Sequence, residues 1–246
     1  MKKLVTAFAL CAAISAMAVD SDNIVGYNKV TADGAYYLIG NPFASVGGGT
    51  NTLDKLQGAF ESGDQIQVIY SEIDGITLNS FAYFYLTVDA DLVEQDGWYD
   101  GASVYVGNTV KIAPNQGVYF YASSLAAKSV TTSGEVSKSS VTTTFVDTYT
   151  AWSSAFPVGL NPNDSRFTWT MSSADQIQVV FSQIDGITLD SVACFYLTVD
   201  ADLVDVDGWY DGANVLISAP ISTAGQGVYV FAPAGGQVVE TSPIAP

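Results

Sequence analysis

The passage FYLTVDADLVEQDGWYDG (Phe84–Gly101) recurs almost unchanged as FYLTVDADLVDVDGWYDG (Phe195–Gly212). The match extends without gaps over Asp64–Val104 and Asp175–Val215, where 32 of 41 positions are identical at a constant offset of 111 residues. The related stretches NQGVYFYA and GQGVYVFA follow the first and the second copy, respectively. An internal repeat of this length predicts two related structural units, residues 19–136 and 137–246, after a leader of 18 residues.

The apolar residues inside the repeat alternate with polar ones. In QIQVIY (Gln65–Tyr70) and QIQVVF (Gln176–Phe181) apolar side chains follow each glutamine, which is the period of a half-buried β-strand. The dipeptides Asp74-Gly75 and Asp185-Gly186 tolerate the positive φ angles of a tight hairpin. The sequence therefore predicts an all-β protein built from two tandem antiparallel β-sandwich-like units.

The Ser/Thr-rich segment 123–145 lies between the two units. Its composition is typical of a flexible linker, but its valines and threonines also favour strands. We expect a closing strand of the first unit, a tight connection and an opening strand of the second unit.

Residues 1–18 have the pattern of a secretory signal peptide. Lys2 and Lys3 precede an apolar stretch that ends in Ala16-Met17-Ala18, an A-x-A cleavage signal. No later apolar run approaches the roughly 18 residues of a membrane span. We therefore predict a secreted or cell-surface protein with no membrane-spanning segment.

Charge and rare residues restrict the chemistry. The chain carries a formal net charge of −17, and loss of Lys2 and Lys3 with the leader makes it −19. So few basic residues make nucleic acid a poor partner. The chain has no histidine, and Cys194 is the single cysteine after the leader, which excludes imidazole-based triads and a zinc centre. We expect Cys194 to pack as a small apolar side chain.

The repeated acidic and aromatic passage supports four alternative interpretations. Closely spaced carboxylates can bind Ca²⁺, which is the one cofactor that the sequence suggests. The candidate ligands are Asp89, Asp91, Asp96, Asp200, Asp202 and Asp207. Exposed aromatic pairs beside an acid can stack on sugar rings, and the candidates are Trp98, Tyr99, Asp100, Trp209, Tyr210 and Asp211.

The third interpretation is a carboxylate-based glycoside hydrolase, since Asp89 and Asp91 would point the same way on a strand. The fourth is structural: Asp residues accept hydrogen bonds from nearby backbone amides in turns, and Gly adopts positive φ. The structural interpretation is the default, and it predicts that the passage shapes the backbone without performing chemistry.

Two further motifs resemble a known repeat. YYLIGNPF (Tyr36–Phe43) followed by IAPNQGVYFYA (Ile112–Ala122) resembles the WNLIGNPY…IxPGQGFFV repeat of secreted and cell-surface proteins from Bacteroidota-like and Verrucomicrobia/Lentisphaerae-like bacteria. The second unit departs from this pattern, with Ser154-Ala155-Phe156-Pro157 where the Gly-Asn-Pro turn belongs. The resemblance implies an exported all-β repeat protein and carries no catalytic residues.

These features together predict a non-catalytic exported protein, a structural or adhesive component at the cell surface or outside the cell. Its expected partners are extracellular polysaccharides or other surface proteins. The alternative function is a carbohydrate-binding module that uses the paired Trp-Tyr residues.

Overall fold

The computed structural model describes residues 25–32, 36–73, 76–124, 126–146, 149–184 and 187–244. The strands of the first half are Val25–Ala32 (β1), Tyr36–Gly40 (β2), Asn51–Thr52 (β3), Gln57–Gly58 (β4), Gln65–Ile73 (β5), Ile76–Leu86 (β6), Gly97–Tyr99 (β7), Lys111–Ile112 (β8), Gly117–Tyr121 (β9) and Lys128–Glu135 (β10). The strands of the second half are Val141–Phe145 (β11), Tyr149–Trp152 (β12), Phe167–Thr170 (β13), Gln176–Ile184 (β14), Ile187–Leu197 (β15), Gly208–Tyr210 (β16), Val228–Phe231 (β17) and Gly236–Glu240 (β18).

Helical structure in the described ranges is limited to three short turns. They are a 3₁₀ turn at Leu53–Lys55 and two single α-helical turns, Val88–Asp91 (α1) and Val199–Asp202 (α2). None of these is long enough to cross a membrane. The expected all-β class is confirmed.

The strands of the repeat pair as two long antiparallel hairpins, β5 with β6 and β14 with β15. Ile66, Val68, Ile177 and Val179 are buried, as the alternating pattern predicts. Ile73 pairs with Ile76 at the end of the first hairpin. The predicted Asp-Gly turns themselves, and the signal peptide, lie outside the described residues.

The Ser/Thr-rich segment forms two strands and a short connection. Strand β10 pairs with β1 over its whole length, and β11 pairs with β18. The connection between them is residues 136–140. The expected closing and opening strands are confirmed, and the flexible-linker alternative is wrong because both strands bury part of their surface.

Each half of the chain has its own buried cluster. The first is built from residues between Val30 and Val130, and includes Trp98 and Phe120. The second is built from residues between Phe145 and Val238. Burial of apolar surface stabilises the folded state by about 25 cal/mol per Å² removed from water. Each cluster therefore stabilises the packing of the strands that contribute to it.

The two halves are also joined through one ten-stranded sheet, in the order β12-β17-β14-β2-β9-β5-β6-β7, in which β15 also pairs with β14 and β16 pairs with β15. Tyr36 of β2 pairs with Gln183 of β14, and Tyr149 of β12 pairs with Glu72 of β5. Glu72 and Gln183 occupy equivalent positions in the repeat, so each half contributes the same part of its hairpin to the other half.

A third buried cluster lies at this junction and combines residues of both halves: Leu38, Ile69, Tyr119, Ala151, Val180 and Tyr229. The hydroxyl of Tyr229 donates a hydrogen bond to that of Tyr119. Gly40 N–H donates to Gly225 O at 2.7 Å, and a Cβ added at Gly40 would lie 2.2 Å from Ser153 Cβ. The glycine of the Gly-Asn-Pro motif is therefore required by the close approach of the two halves.

Candidate functional site

The repeated passage begins as a strand and turns into a helical turn. Strand β6 ends at Leu86, and the Thr87 side chain caps α1 by accepting from Ala90 N–H. Leu92 then adopts the left-handed conformation, with φ 58° and ψ 30°. Thr198 and Leu203 repeat this geometry in the second half. Leu92 and Val93 therefore follow a helical turn and are not part of a strand.

The predicted calcium ligands have other roles in the structure. Asp91 Oδ2 accepts from Thr87 N–H at 2.8 Å, and its Oδ1 accepts from Ser62 Oγ at 2.9 Å. Asp96 Oδ1 accepts from Val88 N–H at 2.8 Å. Asp91 and Asp96 thus fix the residues that start the helical turn.

The second half repeats these contacts. Asp202 accepts from Thr198 N–H at 2.8 Å and from Ser173 Oγ at 2.7 Å, and the Thr198 and Ser173 bonds lower the pKa of this carboxyl. Asp207 accepts from Val199 N–H at 2.7 Å. In the described part of the chain no three acidic or cysteine side chains converge as metal ligands. The calcium interpretation of Asp89, Asp91, Asp96, Asp200, Asp202 and Asp207 is not supported. Four of these carboxylates, those of Asp91, Asp96, Asp202 and Asp207, accept hydrogen bonds from backbone amides or serines, and Asp89 and Asp200 are exposed.

Asp100 and Asp211 organise the next turn in the same way. Asp100 Oδ1 accepts from Ala102 N–H and from Val104 N–H, both at 2.9 Å. Asp211 Oδ1 makes the equivalent pair of bonds at the same distances. These two aspartates shape a loop, which is the structural interpretation of the repeat.

The tryptophans of the passage lie in the core. Trp98 is 1% exposed and Trp209 is fully buried, because strands β7 and β16 pair with β6 and β15 and turn the indoles inward. Tyr99 and Tyr210 are also buried, and each hydroxyl donates to a backbone carbonyl at 2.8 Å. The prediction of exposed sugar-stacking platforms at Trp98, Tyr99, Asp100 and their repeats Trp209, Tyr210, Asp211 is contradicted by the burial of the four aromatic rings, whereas Asp100 and Asp211 are half-buried.

The proposed hydrolase pair is separated by the helical turn. Asp89 and Asp91 lie on α1, two residues apart, and positions i and i+2 of a helix do not face each other. Asp89 is exposed, whereas Asp91 is fixed by Thr87 and Ser62. These two carboxyls therefore do not form the paired arrangement that a glycosidase needs.

Cys194 has the predicted structural role. It is 1% exposed within the second core cluster, and burial, with a smaller contribution from Asp211, raises the pKa of its thiol to about 11. A thiol of this kind is not a nucleophile near neutral pH.

Two cavities lie beside the passage in the first half. The larger, about 800 Å³, is a groove beside Leu92, Glu94 and Tyr105. The smaller, about 290 Å³, is lined by four aromatic rings and two carboxylates, from Asp54, Phe60, Tyr85, Asp96, Trp98 and Tyr105. Asp54, Phe60 and Tyr105 could not be identified from the repeat, because they lie outside its aligned region. The available signal was that Tyr105, immediately after the aligned region, becomes Leu216 in the second copy.

Comparison of the chain with protein families, with curated proteins and with solved structures found no match. Evidence for its function therefore comes from the geometry of the molecule itself.

Proposed function

We propose that this protein is a non-catalytic structural or adhesive component of the cell surface or extracellular space. The observation that carries the proposal is how the acidic passage is used. Asp91, Asp96 and Asp100 accept hydrogen bonds from the backbone of their own loops, and their counterparts in the second half do the same. A passage duplicated with these contacts serves to hold a shape.

The way in which the two halves are joined supports a structural role. We propose that residues 19–136 and 137–246 are two copies of one β-module fused into a single rigid body. The continuous sheet, the Tyr119–Tyr229 hydroxyl pair and the shared apolar cluster support this organisation. Such an arrangement resists relative motion of the halves because any displacement breaks sheet hydrogen bonds and exposes buried apolar surface.

Export is part of the same proposal. The Lys2-Lys3 pair, the apolar stretch and the Ala16-Met17-Ala18 signal support removal of a leader, which leaves Val19 as the first residue. The strong negative charge that remains favours solubility outside the cell. Polysaccharides or other surface proteins are the proposed partners of the exposed surface.

A deletion and complementation experiment in the organism of origin tests the proposal. We expect the native protein to begin at Val19 and to be found in the surface or extracellular fraction. The deletion should weaken attachment of cells to each other or to a polysaccharide-coated surface, and the wild-type gene should restore it.

The matched variant separates a structural role from a hydrolytic one. Asp89→Asn combined with Asp200→Asn removes exposed carboxylates from α1 and α2. We expect this variant to restore attachment fully. A folded variant that is exported but fails to restore attachment would contradict the non-catalytic proposal, as would an unprocessed protein retained inside the cell.

A further inference from the structure

The smaller cavity of the first half combines aromatic rings with negative charge. It lies where the 3₁₀ turn and β4 meet the ends of β6 and β7, and its volume is about 290 Å³. This is at the lower end of the range for ligand pockets, which matches a small molecule or a single long side chain.

Three of the lining rings are packed around one another at inclined angles. The ring centres of Phe60 and Trp98 are 5.1 Å apart with 65° between their planes, and those of Tyr85 and Trp98 are 5.2 Å apart at 78°. Phe60 and Tyr85 are 5.3 Å apart. Trp98 is buried by these contacts, so the half-buried Phe60, Tyr85 and Tyr105 supply the ring surface that faces the cavity. Aromatic faces carry negative electrostatic potential and attract a cation.

Two carboxylates line the same space. The pKa of Tyr85 is raised by burial and then by the negative charge of Asp96, and the pKa of Tyr105 is raised by burial and then by Asp54. Asp96 is fixed by its bond from Val88 N–H. Lys55 Nζ lies 3.7 Å from Asp54 Oδ2, but the Lys55 side chain is 56% exposed, and such a pair contributes little.

The second half differs from the first at the corresponding position. Tyr196, Trp209 and Asp207 are retained, but Leu216 replaces Tyr105. Asn163 Nδ2 donates to the carbonyls of Trp209 and Ile217 at 2.8 and 2.9 Å.

The ring of Trp169 also packs against that of Trp209 there, with 5.0 Å between the ring centres. The copies thus share a scaffold, but the second half lacks the ring of Tyr105.

We infer that the cavity bounded by Phe60, Tyr85 and Tyr105, with the buried Trp98 behind them, binds a small alkylammonium cation, held by these three rings and by Asp54 and Asp96. A carboxylate adds a charge-assisted contact to the cation–π attraction, and the net charge of the protein raises the local concentration of cations. A quaternary ammonium headgroup and the ammonium of a lysine side chain have this chemistry in common. The inference does not depend on the proposed function.

Calorimetric titration of the full mature chain tests the site. The probes are tetramethylammonium, n-butylammonium as the equivalent of a lysine side chain, the neutral isostere 3,3-dimethylbutan-1-ol, and methyl glucoside. We expect saturable binding of at least one ammonium probe and no comparable binding of the two neutral probes. The preferred ammonium identifies the source of the natural ligand.

Matched variants locate the binding. Asp96→Asn keeps an acceptor for Val88 N–H but removes the charge, and we expect affinity to fall about tenfold. Tyr105→Leu introduces the residue of the second half and should weaken binding several-fold. Asp207→Asn makes the same change as Asp96→Asn at the equivalent position and should leave affinity unchanged. Thermal melts of each variant confirm folding.

Three results would overturn the inference. They are binding of the neutral isostere or the glucoside as tightly as the ammonium probes, absence of binding by both ammonium probes at millimolar concentration, and an equal loss of affinity in Asp207→Asn and Asp96→Asn.

Discussion

Substitution of Glu240 by glutamine should abolish a large part of the pH dependence of stability. Glu240 is fully buried at the end of β18, where its carboxylate accepts from Ser154 Oγ at 2.7 Å and from Ala155 N–H at 3.1 Å. Ser154 and Ala155 belong to the segment that replaces the Gly-Asn-Pro motif in the second half. In the first half the buried Asn41 side chain makes the equivalent type of contact, accepting from Phe43 N–H.

Burial raises the pKa of Glu240 to about 7, although its bonds from Ser154 and Ala155 and the charge of Arg166 act in the opposite direction. Its ordinary value is 4.5. Because the folded state holds this proton more tightly than the unfolded state, the associated stability is fully present below pH 4.5. It is lost as the pH rises through about 7. One pKa unit corresponds to about 1.4 kcal/mol, so the loss amounts to about 3 kcal/mol.

Urea denaturation followed by tryptophan fluorescence between pH 5 and pH 8 measures this effect. We expect the free energy of unfolding of Glu240→Gln to exceed that of the wild type by about 3 kcal/mol at pH 8, and the two to converge towards pH 5. Glutamine keeps an acceptor for Ser154 and Ala155 and has no charge to bury. Glu94→Gln, at an exposed site, is the control and should change stability by no more than about 0.5 kcal/mol at any pH.

A difference between Glu240→Gln and the wild type that does not vary with pH would refute this reasoning. So would a wild type that gains stability relative to the variant as the pH rises. The first result would mean that Ser154, Ala155 and Arg166 stabilise the ionised carboxylate as much as burial destabilises it, and the second that they stabilise it more.

Three other perturbations follow from the structure. Lys128→Met should destabilise the protein by about 3–5 kcal/mol in urea denaturation, because it leaves the fully buried Asp64 carboxylate without the Nζ that lies 2.6 Å away. Adding Asp64→Asn should recover part of this loss. Full stability of the Lys128→Met variant would contradict the prediction. Leu92→Gly should raise stability by about 0.5–1 kcal/mol in thermal melts. Leu92 is 91% exposed and adopts a left-handed conformation that costs leucine about 1–2 kcal/mol. A lower melting temperature of the variant would show that the Leu92 side chain makes a stabilising contact. Calcium chloride and EDTA should leave the melting temperature unchanged, because Asp91 and Asp96 already bind their own backbone, and a rise reversed by EDTA would restore the metal interpretation.

Much of the fold could be predicted because it depends on local pattern. The alternation in QIQVIY and the β-prone threonines and valines of segment 123–145 determine strands whose apolar faces must be buried. The helical turn at Val88–Asp91 could not be predicted in this way. A single turn has no periodicity, and it is fixed by the Thr87 cap and by backbone N–H bonds to the carboxylates of Asp91 and Asp96 that form only once the chain has closed.

The candidate site was harder to predict because its parts are brought together by tertiary structure. Trp98 lies between turn residues in the sequence, which suggests exposure, but pairing of β7 with β6 carries it into the core. Phe60 and Asp54 reach it from a segment that has no counterpart in the aligned repeat. The pairing of Tyr36 with Gln183 joins residues 147 positions apart, and no local signal indicates it.

Residue-resolved hydrogen exchange of the backbone amides tests most directly whether the duplicated carboxylates hold the loops in shape. We expect the amides of Thr87 and Val88, and those of Thr198 and Val199, to exchange much more slowly than in an unfolded chain, because aspartate side chains accept all four. Asp96→Ala should release the Val88 amide and leave Val199 protected. Exchange of these four amides at the rate of an unfolded chain in the wild type would contradict the account.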